Sequence, residues 1–192
     1  MIDTAAVAKP RHDLLVAGVA VVAVAIGAAS IARVVLATCG FPLDDAWIHQ
    51  VVGRNAALTG VPGFTPGVRS SGSTSALWPW VIAVKYRLLP AVDPVHFMLA
   101  VNLAGYVAVI GLLLVAARRD RLPTADAIAL VALPAVTGNL VWLVSSGMEH
   151  MAFIAASFLA AVAWTSPAAG GKFEHTAAAL ARLADLPLPT IE

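Results

Sequence analysis

The chain has 192 residues, of which 60% are hydrophobic and only 12% charged, with a formal net charge of +1 and a mean hydropathy of +0.86. A typical soluble domain carries roughly a quarter of its residues as charges; this composition points to a bilayer as solvent, and the small net charge excludes the broad basic footprint of a nucleic-acid binder. Cys39 is the single cysteine, which excludes an internal disulfide framework and an all-cysteine metal site.

Lys9, Arg11 and His12 precede an apolar run broken by no charge until Arg33. This predicts a short cytoplasmic N-terminus, residues 1–13, and a first spanning helix over 14–37, entered from the cytoplasm because the basic residues come first. The run exceeds the apolar core of about 7–15 residues in a signal peptide. LATC (36–39) has a faint likeness to a lipoprotein cleavage site, against which Thr38 and Arg33 both count. Arg33 reaches the outer interface, where its stem snorkels; a ligand for lipid phosphate is the functional alternative.

An outer loop follows, 38–94. Asp44 is placed to cap a helix over 45–59 that Gly60 ends, with apolar residues spaced by three and four. Such a helix is expected to lay its apolar face on the membrane surface and keep Asp45, His49 and Arg54 near water or substrate. Residues 61–75, rich in Gly, Pro, Ser and Thr, form a long loop without regular structure, of a length that usually serves a function. Ser75 is placed to cap a second helix over 76–89, with Pro79 tolerated in its first turn and Pro90 ending it. It is short for a crossing and contains Lys85, Tyr86 and Arg87, so it reads as a juxtamembrane or re-entrant helix.

Residues 95–117 make the cleanest span, followed by Arg118, Arg119, Asp120 and Arg121 on the cytoplasmic side. Residues 125–144 return outward, with Pro134 and Gly138 expected to kink the helix without breaking it. SSGMEH (145–150) is an outer turn, and 150–166 heads inward again. The membrane module therefore covers 14–166. Residues 167–192 read as a cytoplasmic tail, a solvated end or a non-native continuation. The fold class is all-α: a multi-spanning transmembrane bundle whose outer loop carries amphipathic juxtamembrane helices.

The chemistry gathers on the outer side. Asp44 and Asp45 each stabilise a helix start by about 0.3–2 kcal/mol, a sufficient structural reason for either alone. Their company suggests more: His49, Arg54, Arg69, Ser73, Lys85 and Arg87 share the loop, and Glu149 and His150 lie in the second outer turn. Glycosyl transfer needs a base for the acceptor proton, which a carboxylate supplies, and cations for a departing lipid phosphate. Asp45 and His49, four apart, share a helix face and offer two ligands to a divalent metal, which the sequence permits without requiring. Trp78 and Trp80 read equally as interfacial anchors or sugar-stacking rings.

Three segments carry a family resemblance. DDAWIHQVVGRNAALTG (44–60) resembles the acidic pair that opens the first outer-loop helix of GT-C superfamily glycosyltransferases. GSTSALWPW (72–80) is similar to their following loop-to-helix element, and SSGMEHMAF (145–153) to a recurrent turn before a later span. They occur in the expected order, and the resemblance covers about residues 14–163. It implies an integral enzyme of the cytoplasmic membrane with Asp44 or Asp45 as catalytic base. A sugar would move from a polyprenyl-phosphate donor to a glycan, lipid or protein acceptor outside that membrane, the bilayer being the other partner and nucleic acid having no part. The Ala- and Val-rich style is similar to actinobacterial cell-wall members. Family enzymes have more spans than the four expected here, so the chain reads as an N-terminal portion that needs further helices for turnover. The alternative is a non-catalytic scaffold or inactive truncated remnant. A transporter subunit would place ionisable residues deep in the spans, where this sequence has only Asn102, Thr137 and Asn139.

Overall fold

A computed structural model describes residues 4–38 and 40–164, all of whose regular structure is helical. The elements are α1 (Thr4–Thr38), α2 (Asp44–Thr59), α3 (Trp78–Leu88), α4 (Pro94–Arg119), α5 (Thr124–Val136), α6 (Gly138–Val144) and α7 (His150–Trp164). Two compact units divide at Ala155 and Ala156. The first holds α1 to α6 and the start of α7. Of the second, only 156–164 are described, the rest of α7 with Phe158, Leu159 and Trp164 exposed. The tail expected over 167–192 lies outside the described residues, as does Cys39.

Two helices are long and apolar enough to cross a membrane, Arg11–Thr38 and Pro94–Arg119. Both match the first two expected spans. Thr124–Val136 and Gly138–Val144 together make a third candidate, but they are bent by 56° at their junction. The expected intact kink is therefore a break. Pro134 has no N–H to give the preceding turn, and the carbonyl of Leu133 receives both the backbone N–H and the hydroxyl of Thr137. Thr137 itself is extended, with φ −86° and ψ 99°, and α6 restarts at Gly138. The segment expected at 150–166 is a shorter apolar helix, α7.

One core joins Val16 and Ala23 of α1 to Tyr106, Val109, Ile110 and Leu113 of α4 and Ala127 and Val131 of α5. The helix ends fix directions. Nδ1 of His12 lies 2.8 Å from Oγ1 of Thr124, and the hydroxyl of Ser30 donates to the carbonyl of Val141 at 3.0 Å, so α1 runs alongside α5 and α6 in the same sense. At the α4–α5 turn, Leu122 N–H reaches back to the carbonyl of Ala117 and Arg121 N–H to that of Arg118. Arg121 takes φ 52°, a left-handed cap usually given to glycine. That conformation costs a side-chain-bearing residue roughly 1–2 kcal/mol.

The opposite end is built from α2 and α3, which pack on each other. A second core of Phe41, Ala46, Trp78, Ile82, Met98 and Met148 ties them to the start of α4 and to the 145–149 turn. The face of α2 that is buried is not an apolar stripe. It consists of Ala46, His49, Gln50, Val52, Gly53, Asn55, Ala56 and Ala57, while Trp47 and Leu58 are exposed. Small residues let the helices approach closely: a Cβ on Gly53 would stand 2.5 Å from Cβ of Ile82 and 2.9 Å from the carbonyl oxygen of Pro79.

Candidate functional site

The first turn of α2 carries Asp44 and Asp45, both exposed. The expected cap is corrected: Leu43 is the N-cap residue and supplies no side-chain bond. Asp44 sits one position inside the helix, where its Oδ1 accepts only the neighbouring N–H of Asp45, at 3.0 Å. The pair thus holds a favourable dipole position without being consumed in capping, and its oxygens face outward.

One turn on, His49 departs from expectation. It is 2% exposed, not kept near water, because His49 shares the buried face of α2 with Gln50 and Asn55, while Asp44, Asp45 and Arg54 stay exposed. Its Nδ1 lies 2.9 Å from Oγ of Ser73, and its Nε2 lies 3.6 Å from Oε2 of Glu149. The Ser73 hydroxyl also donates to the carbonyl of Ser75 at 2.8 Å. A hydroxyl has one hydrogen to give, so the His49–Ser73 bond is donated by the imidazole Nδ1–H. Nε2 is then an acceptor turned toward Oε2 of Glu149, an atom buried without a hydrogen-bond partner. Uptake of one proton would turn this contact between acceptors into an ion pair. Burial is the larger influence and holds the His49 pKa below its ordinary value of 6.5, with Glu149 and Asp45 pulling upward and His150 downward.

The serine-rich loop is folded onto α2 by Asn55, whose Nδ2 donates to the carbonyls of Gly63 and Phe64 at 2.8 and 2.9 Å. Ser70 closes it, accepting from the N–H of Phe64 through Oγ and donating its own N–H to the carbonyl of Pro62. Gly72 packs on the ring of Phe64, leaving no room for a side chain. A cavity of about 340 Å³ opens between this loop and the helices, lined by Val52, Pro62, Arg69, Ser70, Ser73 and Pro79 among others. The loop meets α3 where Ser75 Oγ accepts the N–H of Trp78 at 3.3 Å. The expected cap is corrected all the same: α3 begins two residues later than expected, with Leu77 as its N-cap residue and no side-chain capping bond.

The basic candidates divide. Arg69 is exposed beside the cavity. Arg54 is exposed on α2, close enough to Tyr86 to influence its phenol, while the Tyr86 hydroxyl donates to Oε1 of Gln50 at 3.3 Å. Lys85 is 2% exposed, with Nζ 4.2 Å from the Tyr86 ring centre. Arg87 donates from Nε to the carbonyl of Ala57 at 2.9 Å, fastening α3 to the last turns of α2. Of the two residues of α3 expected to bind substrate, Lys85 is buried against the ring of Tyr86, and Arg87 is exposed while its Nε fastens α3 to α2.

The turn at 145–149 completes the site. Gly147, at φ 77°, lies against the ring of Phe41, which stacks edge-on with Trp47 at 5.0 Å. The carbonyl of Glu149 accepts the N–H of Phe153 at the start of α7. Among the described residues no group of three or more His, Cys, Asp or Glu is placed to hold a metal ion; Asp45 and His49 do not converge with a third ligand. Sequence reading missed Asn55 and Gln50, both buried. The signal available was a pair of amides on the helix face shared with Ala46, Gly53 and Ala57, the small-residue face of a helix pressed against another.

No protein-family model matches this sequence, and searches of curated proteins and of solved structures find no match. The membrane character therefore rests on the apolar helices themselves.

Proposed function

We propose that the chain is the outer-loop module of a membrane glycosyltransferase that uses a polyprenyl-phosphate sugar. The observation that carries this reading is that the three segments of the resemblance meet through one side chain: His49 of the first touches Ser73 of the second and Glu149 of the third. In this reading α1, α4, the broken pair α5–α6, and α7 make four crossings. Both termini and Arg118 to Arg121 lie in the cytoplasm of a cell whose outer face carries α2, α3 and the serine-rich loop.

Asp44 or Asp45 takes the proton from an acceptor hydroxyl as its oxygen bonds to the anomeric carbon, and the bond from that carbon to the lipid phosphate breaks. Arg69 beside the hydroxyl-lined cavity is the cation suited to the departing phosphate. His49, Asn55 and Arg87 hold the loop and both short helices in place, and positioning of this kind can account for about 7–11 kcal/mol of a barrier. No step needs a metal from these residues, and none excludes one.

The test is transfer of labelled sugar from a polyprenyl-phosphate donor in membranes of cells lacking the native copy, complemented by the chain or its variants together with the further helices that turnover needs. Asp44→Asn or Asp45→Asn is expected to lower transfer by about 10²–10⁴ with membrane insertion unchanged. Normal transfer by both variants would remove the catalytic role. The burial of His49 and Lys85 favours a second reading, a non-catalytic scaffold that keeps the fold, for which no variant of the pair changes transfer.

A further inference from the structure

At the far end of the bundle from α2 and α3, the start of α1 and the α4–α5 turn enclose a cavity of about 670 Å³ lined by His12, Asp13, Ala117, Arg118, Arg121 and Leu122. Its volume falls within the range of small-molecule sites. The basic groups are not there for one another or for neighbouring acids. Asp120 is taken by Arg119 at 2.8 Å, while the exposed side chains of Arg118 and Arg121 have neither hydrogen-bond nor ion-pair partner among the described residues. His12 is held by Thr124 through Nδ1, which fixes its ring and leaves Nε2 as the free nitrogen. The left-handed turn at Arg121 brings both that residue and Leu122 to the cavity.

We propose that this cavity binds the phosphodiester headgroup of an anionic phospholipid. Two guanidinium groups against Asp13 leave one positive charge, the complement of a phosphodiester monoanion rather than of a multiply charged phosphate. Guanidinium forks match phosphate oxygens in geometry as well as charge. The apolar part of the lining, Ala117 and Leu122, adjoins α1 where Leu14 and Leu15 are 73% and 57% exposed, a surface for acyl chains that a free anion would not use. In the topology given above this end faces the cytoplasmic leaflet, whose anionic lipids attract such clusters. The site would hold a lipid whether or not the other end transfers sugar.

The full chain, purified in mild detergent, is offered equimolar phosphatidylglycerol and phosphatidylcholine of the same acyl chains, and retained lipid is read by native mass spectrometry. Phosphatidylglycerol is expected to be retained about tenfold more, the scale of one to two net charge-assisted contacts. The double variant Arg118→Gln, Arg121→Gln is expected to abolish the preference at unchanged helix content. Arg118→Lys with Arg121→Lys is expected to keep part of it, since lysine keeps charge but not the fork. Arg33→Gln, which removes one guanidinium charge near the other end of α1, is expected to leave it intact. Equal retention of the two lipids overturns the proposal, as does an equal loss of preference in Arg33→Gln. Displacement of phosphatidylglycerol by millimolar inorganic phosphate would identify a plain anion pocket and overturn it too.

Discussion

Gly53 offers a direct test of how closely α2 and α3 are joined. Two opposing effects follow from Gly53→Ala. Alanine is the better helix former by about 1 kcal/mol, so an unobstructed helix would gain. At this position the new methyl would stand 2.5 Å from both Cβ and Cγ2 of Ile82, whose side chain is fully buried, and 2.9 Å from the Pro79 carbonyl oxygen. None of these is the far end of a flexible chain, so relief requires the helices to part. Overpacking of this kind costs about 1–3 kcal/mol, and the net expectation is a loss of about 0–2 kcal/mol. Gly111 of α4 supplies the control, because a Cβ there meets nothing within 4 Å. Unfolding of the purified protein in mild detergent, followed by tryptophan fluorescence, should place Gly53→Ala below Gly111→Ala by about 1–3 kcal/mol, the steric cost with propensity cancelled. If the two variants shift stability equally, the close approach of α2 and α3 is wrong.

The His49 imidazole, followed by NMR, should titrate below 6.5, and lower still in Glu149→Gln, which removes the largest upward pull; an unchanged or higher value would place Glu149 away from the ring. Because folding favours the neutral form, its contribution to stability is full above the unfolded pKa of 6.5 and is lost as pH falls through that value toward the folded one. Thermal melts should show that loss in the wild type and not in His49→Phe. In a Cys39→Ser background, Arg119→Cys should react with a membrane-impermeant thiol reagent only after cells are opened; labelling in intact cells would invert the topology. In the proposed reading, with Arg69 as the cation for phosphate, Lys85→Met should leave lipid-phosphate binding unchanged, since the ammonium lies over Tyr86 and away from the surface; a marked loss would give Lys85 the substrate-binding role expected from the sequence.

The helices were legible where local chemistry sets them. Gly60, at φ 76° and donating its N–H to the Ala56 carbonyl, ends α2 where the sequence says it should; the cap that Asp93 gives α4, accepting from the N–H groups of Val95 and His96, was not read from the sequence. The spans at α1 and α4 follow from apolar length alone. What sequence reading could not supply was which face of α2 is covered. Its pattern allows Trp47 and Leu58 as the buried side, and only the arrival of α3 at Gly53 selects the other. That choice carries His49 inside and joins it to Ser73 and Glu149, residues 24 and 100 positions away. Pro134 and Gly138 advertised a weakness, but whether it bends or breaks depends on Thr137, whose hydroxyl competes for the Leu133 carbonyl.

The amide of Asn55 has a consequence for the ageing of the protein. Both of its hydrogens go to carbonyl oxygens, those of Gly63 and Phe64. Spontaneous deamidation replaces that nitrogen with oxygen and leaves an acceptor facing two acceptors inside a buried contact. Repulsion would then lift residues 63 and 64 off α2, and Arg69, Ser70 and Ser73 would leave the cavity with them. A preparation that loses loop order with storage, while gaining one dalton on the peptide containing residue 55, would be reporting the chemistry of a single nitrogen.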